Sequence, residues 1–435
     1  MKQSFVLGKA KKAITPPLGT PLYGYPRYEQ RKATSVHDEL YANVGAFGYG
    51  KPSALLISLD ICSARTDLTS RIASEIAKEI PVKASNIIIC EIHTHSGPCC
   101  TFTPGWGVSN DSYIEEILIP GIVAAAKEAY ENAEEALLGI GTTESRVGIN
   151  RRQLMPDGQA SLGQNPYGCY DPEMTVLSFV NLKKEPLLNI VHYGCHGTAS
   201  GAGPEISRDW SGYMVDRLEA QTGAMTFFIN GAEGDVGPRL SNGRTVGTIA
   251  MAAELGGVAA MDAMRAYRNI REFRAVDFAT VNGELSVPYK PFPTREEIKA
   301  ELAEIESGEI VGTAIILQNT CKERLKVWEN GEEIPKNWSF SQVLFRFNSA
   351  VFVPFPFEVF SEITVRLRQY SPFGHTLGLC NANGALAYLP SKEQIARGGY
   401  EVDQFTRRHI FTMVDNTDDI IIEENMKLIR KLSEE

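Results

Sequence analysis

The chain has 435 residues, a formal net charge of −10, 43% hydrophobic and 22% charged residues. This is an ordinary globular composition, long enough for one large domain or two smaller ones. The acidic balance argues against a nucleic-acid binder, which needs a basic patch, and no segment approaches the roughly 20 apolar residues of a membrane span.

The opening residues, from Met1 to Lys9, lack the apolar core of a signal peptide. The eight cysteines are scattered without CxxC spacing, which suits free thiols in a reducing compartment rather than a disulfide framework. A cytoplasmic location is the expectation. Residues 53–59 read as a strand ending at Asp60, and 66–80 as a helix. Residues 87–92 form an apolar run that predicts a buried strand, and the alanine-rich stretch 115–138 reads as helical. Residues 187–192 predict a second buried strand. Residues 209–220 predict a helix with Asp209 as its N-cap candidate. A strand at 225–229 leads into Asn230-Gly231-Ala232-Glu233-Gly234-Asp235, and 248–267 is again helical. From 291 to 340 the chain is richer in charge, with a solvated helix at 295–309 and a mostly polar stretch at 322–336. Apolar strands return at 349–353 and 376–380, and a last helix spans 419–433.

Strands alternating with helices predict an α/β fold: a mixed, largely parallel sheet flanked by helices. With no repeat and no low-complexity linker, 1–435 is expected to form a single composite domain with a peripheral insertion near 291–340. Ligands of such sheets sit beyond the carboxyl ends of the strands. Asp60, His93, His196 and Asp235 all fall at such ends.

The most informative motif is His93-Thr94-His95-Ser96-Gly97-Pro98. Two imidazoles one residue apart point to the same side if strand geometry persists, and imidazoles at a strand end suit metal binding or proton transfer. The competing reading is a hydrogen-bonded histidine pair. A second cluster, His192 to His196, leaves the second buried strand; His192 itself reads as packed within the strand. Cys99 and Cys100 read as inert packing rather than a nucleophile. The glycines between 231 and 237 match neither a GxGxxG nor a lysine-bearing phosphate loop. Of the adjacent Arg151 and Arg152, one has the character of a surface charge.

Taken together, several motifs resemble the neutral ceramidase family, zinc amidases that split the N-acyl bond of ceramide. They are Ala13-Ile14-Thr15-Pro16-Pro17, Leu22-Tyr23-Gly24-Tyr25, His37-Asp38-Glu39-Leu40-Tyr41-Ala42, the His93–Pro98 element, Asn150-Arg151, His196-Gly197-Thr198-Ala199-Ser200, Asp209, Gly212-Tyr213 and Gly234-Asp235-Val236, in family order from about residue 8 to about residue 410. The resemblance implies zinc held by His93, His196, Glu358 and Tyr388. It implies Arg151 on a substrate oxygen and His95 beside the metal as the group that moves a proton. Asp209 or Asp235 would orient His95 or His196 through the other ring nitrogen, as outer carboxylates do. Without the resemblance, Glu358 reads as a helix start after Pro354 and Pro356, and Tyr388 as a half-buried aromatic. The family's Gly-Asp-Val-Ser-Pro stretch is here Gly234-Asp235-Val236-Gly237-Pro238, so the serine hydroxyl is replaced by nothing. The family also carries a further immunoglobulin-like domain after its catalytic part, to which this chain is expected to correspond.

The expected function is zinc-dependent hydrolysis of an amide (N-acyl) bond in a small or amphiphilic substrate, with water activated on the metal, since bound zinc brings the pKa of its water to about 7. The alternatives are a metal-dependent esterase or phosphoesterase, and a catalytically silent ligand-binding relative that lost its chemistry with the serine.

Overall fold

A computed structural model describes residues 3–26 and 31–434; Met1 and Lys2, part of the opening read above, lie outside the described residues. The main sheet has nine strands. Along its length run Met225–Asn230, Pro186–Tyr193, Glu173–Asn181, Glu134–Glu144, Phe5–Ala13, Tyr41–Tyr49, Lys51–Leu59 and Ile87–Glu91, and the short Arg274–Ala275 pairs on Glu134–Glu144. The sheet is mixed, as expected, but less parallel than the strand–helix alternation suggests. Its parallel pairs are the outer ones, Lys51–Leu59 with Ile87–Glu91 and Pro186–Tyr193 with Met225–Asn230. The inner pairs are antiparallel. The cause is local: Gly50 alone joins Tyr41–Tyr49 to Lys51–Leu59, and its φ of 69° is the left-handed conformation such a tight reversal needs. Helical crossovers, which parallel neighbours require, occur only at the two ends, through Thr66–Glu79 and Asp209–Thr222.

The two ends of this sheet come together. Ser58 Oγ donates to the Phe228 carbonyl at 2.5 Å, and Asn230 Nδ2 donates to the Ile92 carbonyl at 3.1 Å. Strands far apart in pairing order thus deliver their carboxyl ends to one place. A second sheet of four strands, Phe278–Pro288, Asn337–Phe347, Ala350–Pro354 and His375–Leu379, lies against the first. Between them Phe5, Phe47, Phe179, Phe278 and Phe347 form one aromatic core, with ring centroids 4.8 to 6.5 Å apart. The sheets are also tied by polar bonds: His192 Nε2 lies 2.9 Å from the Gly378 carbonyl, and Cys380 N donates to the Asn230 carbonyl at 3.0 Å.

The predicted helix at 115–138 is divided. The helix spans Ile119–Glu131 after a wider turn at Ile114–Leu118, and Glu134–Glu144 is a strand. The alanines and leucines that favour a helix locally are overruled by pairing with Glu173–Asn181. Helices Arg295–Glu306 and Thr313–Asn330 form a hairpin inserted between the paired strands Phe278–Pro288 and Asn337–Phe347. The second of them takes in the first part, 322–330, of the stretch that reads as mostly polar in the sequence. Among the described residues no helix is long and apolar enough to cross a membrane.

Candidate functional site

The strand carrying the His-Thr-His motif ends at Glu91, and His93 has a φ of 61°. Strand alternation therefore does not align His93 with His95. The chain turns at His93 instead, and the turn brings the imidazoles together, with Nε2 atoms 3.2 Å apart. A left-handed non-glycine residue costs on the order of 1 kcal/mol, and such residues gather where function demands them. Asp209 and Asn381, both in the same region, share this conformation.

His196 and Glu358 complete the group. His93, His196 and Glu358 offer ligand atoms that all lie within 4.8 Å of one another. His196 Nε2 is 3.0 Å and His93 Nε2 3.6 Å from Glu358 Oε2. The tautomers decide what this means. His93 Nδ1 lies 2.8 Å from the Cys62 carbonyl, and His196 Nδ1 lies 2.8 Å from the Glu233 carbonyl. Carbonyls only accept, so each Nδ1 carries the hydrogen and each Nε2 presents a lone pair inward. His196 Nε2 and Glu358 Oε2 are both buried without a hydrogen-bond partner. Two lone pairs and a carboxylate thus face one point with no hydrogen between them. That arrangement repels itself unless a cation sits there, and nitrogen and oxygen donors of this kind suit a divalent ion such as zinc.

The electrostatics agree. Burial, reinforced by the Arg151 cation, pushes the His196 imidazole down to about 3. Burial likewise lowers His93, and burial together with the neighbouring imidazoles holds His95 well below the ordinary histidine range. Glu358 is held below the usual carboxylate range although burial works against its charge, and with the imidazoles neutral the fixed positive charge beside it is Arg151. All three imidazoles are therefore neutral near pH 7, as ligands must be.

Tyr388 is the direct partner of Glu358 in a short parallel pair, Glu358–Val359 against Tyr388–Leu389. Glu358 is thus a strand residue; the helix that Pro354 and Pro356 lead into starts only at Ser361. The Tyr388 ring stacks on His196, with centroids 6.4 Å apart, and its hydroxyl accepts from Arg151 Nη2 at 3.0 Å. Burial and the Glu358 charge hold this phenol far above its usual range while Arg151 pulls it down, so its ionisation needs a further positive charge nearby. Arg151 is buried and firmly cationic: burial opposes the charge, but Tyr388, Glu401 and Glu358 raise its pKa.

Neither aspartate orients a histidine, contrary to expectation: a backbone carbonyl holds His196 Nδ1, and His95 Nδ1 is buried with no partner, while both carboxylates bond elsewhere. Asp209 instead clamps the loop after His196. Its carboxylate accepts from Ala199 N at 3.1 Å, Ser200 N at 2.7 Å, Trp210 N at 2.7 Å and the Ser200 hydroxyl. Asp209→Ala leaves these buried donors unpaired, so unfolding in urea should show a loss of about 3–5 kcal/mol, with Asp209→Asn, which tolerates the left-handed backbone, losing less. Unchanged stability in the alanine variant would contradict this role. Asp235 binds Ser361 N at 2.7 Å and Oγ at 3.0 Å, fixing the start of the helix after Glu358, while its carbonyl accepts from Arg151 N at 2.8 Å. Asp60 accepts from Tyr41 N at 2.9 Å and takes no part in the donor group. His192 is packed, as read.

Some residues escape a sequence reading. Glu233 is fully buried behind His93, its Oε1 3.9 Å from His93 Nδ1 and 2.6 Å from Asn381 Nδ2; its only signal is the glycine-rich stretch that resembles no known loop. Arg152 is no surface charge: both arginines are buried and share Glu401. Gly24, with a φ of 104°, has room for no side chain, since a Cβ there would stand 2.5 Å from the His95 ring. The Tyr25 ring then meets His95 edge-on at 5.1 Å. Gly237 lies beside Arg151, and the place of its missing side chain is taken by Thr245, whose Cβ and Cγ2 would be 2.7 Å from a Cβ at 237. The absent serine is thus matched by the packing around it. Two cavities of about 630 and 640 Å³ share Thr66, Trp338 and Leu386. They are lined by none of the donors; the first reaches Tyr23 and Ser63, next to the Cys62 carbonyl that holds His93.

This fold is that of the neutral ceramidases. Neutral ceramidase from Pseudomonas aeruginosa superposes with a TM-score of 0.76 at 18% identity, over 99% of this chain and 75% of that one. A ceramidase complexed with C2 superposes with a TM-score of 0.76 at 17% identity, over 99% of this chain and 76% of that one. Residues 5–251 match the family described as neutral/alkaline non-lysosomal ceramidase, N-terminal, and the chain belongs to this family of amide hydrolases. No curated protein matches it.

Proposed function

We propose that this protein is a metal-dependent hydrolase of the amide (N-acyl) bond in an amphiphilic substrate, ceramidase-like, acting as a single composite catalytic domain with a helical insertion. The observation that carries the reading is the convergence of two unprotonated imidazole nitrogens and a carboxylate on one point. His93, His196 and Glu358 would hold the ion, zinc on the chemistry of the donors, with the Tyr388 phenol as the fourth ligand. When bound, such an ion polarises a carbonyl and lowers the pKa of water.

The chain's own residues supply the rest. Arg151, charged and fixed beside Tyr388, faces the region where negative charge develops on the carbonyl oxygen. His95 is neutral, its Nε2 is 3.2 Å from His93 Nε2, and its Nδ1 is buried without a partner. It is the group placed to take a proton and return it to the leaving amine. With Thr245 filling the space beside Gly237, no hydroxyl is needed from that position. Asp209 and Asp235 contribute by holding the loops that carry His196, Arg151 and Glu358. Trp338 and Leu386, shared by the two cavities, with Phe411 in the first and Phe340 in the second, offer apolar contacts for a hydrocarbon tail among polar residues such as Arg65, Glu323 and Arg408, and on these contacts we prefer an amphiphile over a small polar amide. Eight unpaired cysteines, seven of them buried, suit a reducing compartment, and we place the protein in the cytoplasm on that basis.

Metal analysis combined with a substrate panel tests the reading. About one divalent ion per chain is expected, with hydrolysis of long-chain N-acyl substrates faster than that of matched esters or phosphoesters and abolished by a chelator. Full metal content without turnover on any amide would favour a silent binding protein.

A further inference from the structure

We infer that Glu401 is a positioning residue that fixes the Arg151 guanidinium against the site. This rests on the reading of Arg151 above. Glu401 sits near the start of helix Tyr400–Arg407, some 250 residues from the arginines in sequence, and its side chain is 2% exposed. Its two oxygens are divided between two neighbours: Oε1 is 3.0 Å from Arg151 Nε, and Oε2 accepts from Arg152 Nη1 at 2.7 Å.

The two arginines are not equivalent. Every nitrogen of Arg152 is engaged, for beside the Nη1 bond to Glu401 its Nε donates to Gln394 Oε1 at 3.2 Å and its Nη2 to the carbonyls of Gln394 at 3.4 Å and Gly398 at 2.7 Å. Arg151 spends Nη2 on the Tyr388 hydroxyl, and its Nε lies 3.0 Å from Glu401 Oε1 as an ion pair without hydrogen-bond geometry. A guanidinium has three nitrogens that donate in a fixed plane. With one side held by a hydrogen bond to Tyr388 and the other drawn by the Glu401 charge, its orientation is set and Nη1 remains for a substrate oxygen. Arg152 therefore anchors the Glu401 carboxylate, and the carboxylate aims Arg151.

The helix that brings Glu401 has defined ends. It follows Gly398 and Gly399, with φ of 54° and 91°. Its far end is gripped by the inserted hairpin: Arg407 Nε is 2.7 Å from Glu301 Oε1, Arg324 Nη1 is 3.1 Å from Glu301 Oε2, and Arg324 also donates to the carbonyls of His409 and Ile410. Tyr400, next in sequence, packs edge-on against Tyr388 at 5.7 Å. The insertion thus bears on the site through this helix.

The test is Glu401→Gln in the full chain, alone and in an Arg151→Met background, with metal content, kcat and KM for a long-chain N-acyl substrate, and a crystal structure. The expected result is unchanged metal content and a fall of about 10–100-fold in kcat/KM, chiefly in kcat, since a misaimed donor is felt where charge develops. In the Arg151→Met background the second change should cost nothing further, and the crystal structure should show Arg151 turned away from Tyr388. Wild-type kinetics, or additive losses with Arg151 unmoved, would overturn the inference. If the wild type hydrolyses no amide, the reading of the site fails, and the orientation of Arg151 in the two crystal structures still decides whether Glu401 sets it. Arg407→Ala, at the half-buried far end of the helix, serves if the buried substitution prevents folding: it should turn Arg151 in the same direction with a loss of a few-fold, and an unmoved Arg151 there would count against the proposal.

Discussion

Replacing Glu358 with glutamine, or His196 with alanine, is expected to strip the protein of its divalent ion and to reduce turnover by at least about a thousandfold. The site holds its donors in mutual repulsion: the lone pair of His196 Nε2 faces Glu358 Oε2 at 3.0 Å with no hydrogen between them. Only a positive charge makes that geometry favourable, and the carboxylate is the one formal negative charge among the three donors. Glutamine keeps the shape but removes the charge, so the two neutral imidazoles are left to hold a cation in a buried place. Lewis-acid stabilisation of developing charge amounts to several kcal/mol, and each 1.4 kcal/mol is tenfold in rate. Metal analysis after dialysis and kcat/KM on an N-acyl substrate measure both effects. A Glu358→Gln protein that kept its full metal content would refute the assignment of this carboxylate. In the metal-free state the same substitution relieves the repulsion, so the apo variant should unfold at an equal or higher denaturant concentration than the apo wild type.

Arg151→Met should lower kcat by about a hundred- to a thousandfold while leaving the metal in place, the size of effect seen when one donor to a developing oxyanion is removed. The methionine fills much of the same volume, so packing against Tyr388 is largely kept. The two-sidedness of the network matters here. Removing the guanidinium leaves the Glu401 oxygen facing an apolar chain, and a buried carboxylate half-deprived of partners is costly. Lysine restores a charge but not the planar fork that meets Glu401 and Tyr388 together, so Arg151→Lys should recover only part of the loss. Comparison of kcat with KM separates the possibilities: a change confined to KM would mean that Arg151 binds the substrate uniformly and does not act on the transition state.

Much of this site is legible in the sequence because its parts lie at places where the chain changes character. The apolar runs before His93 and His196 and before Asp235 are recognisable as buried strands, and the polar groups at their carboxyl ends stand out against them. Glu358 and Tyr388 have no such contrast. They occupy a two-residue strand pair, too short for any periodicity, and only the family pattern picks them out. The inner antiparallel strands Phe5–Ala13, Tyr41–Tyr49 and Glu173–Asn181 go unread for a different reason. They mix lysines, glycines and threonines with apolar residues, and what makes them strands is pairing with partners distant in sequence. Long-range pairing also explains Glu134–Glu144, where local preference favours a helix. The roles of Asp209 and Asp235 are misread because the sequence shows that a carboxylate is near a histidine but not that a carbonyl has already taken the His196 ring nitrogen, nor that both carboxylates are spent on loop and helix donors. Glu401 and Arg152 are invisible for the same reason: an ion pair across 249 residues leaves no trace in either neighbourhood.

The meeting of the main sheet's two ends has a consequence for how the protein matures. The proposed metal donors come from residue 93, residue 196 and residue 358: the first follows the outer strand Ile87–Glu91, the second follows Pro186–Tyr193 beside the opposite edge, and the third lies in the short pair with Tyr388. None of the intermediate stages of synthesis can therefore present a complete cradle; a ribosome must release nearly the whole polypeptide first. On the proposed reading, ion uptake would reward only chains whose remotest segments have found each other, and a captured cation would act as a rivet that marks the assembly as finished.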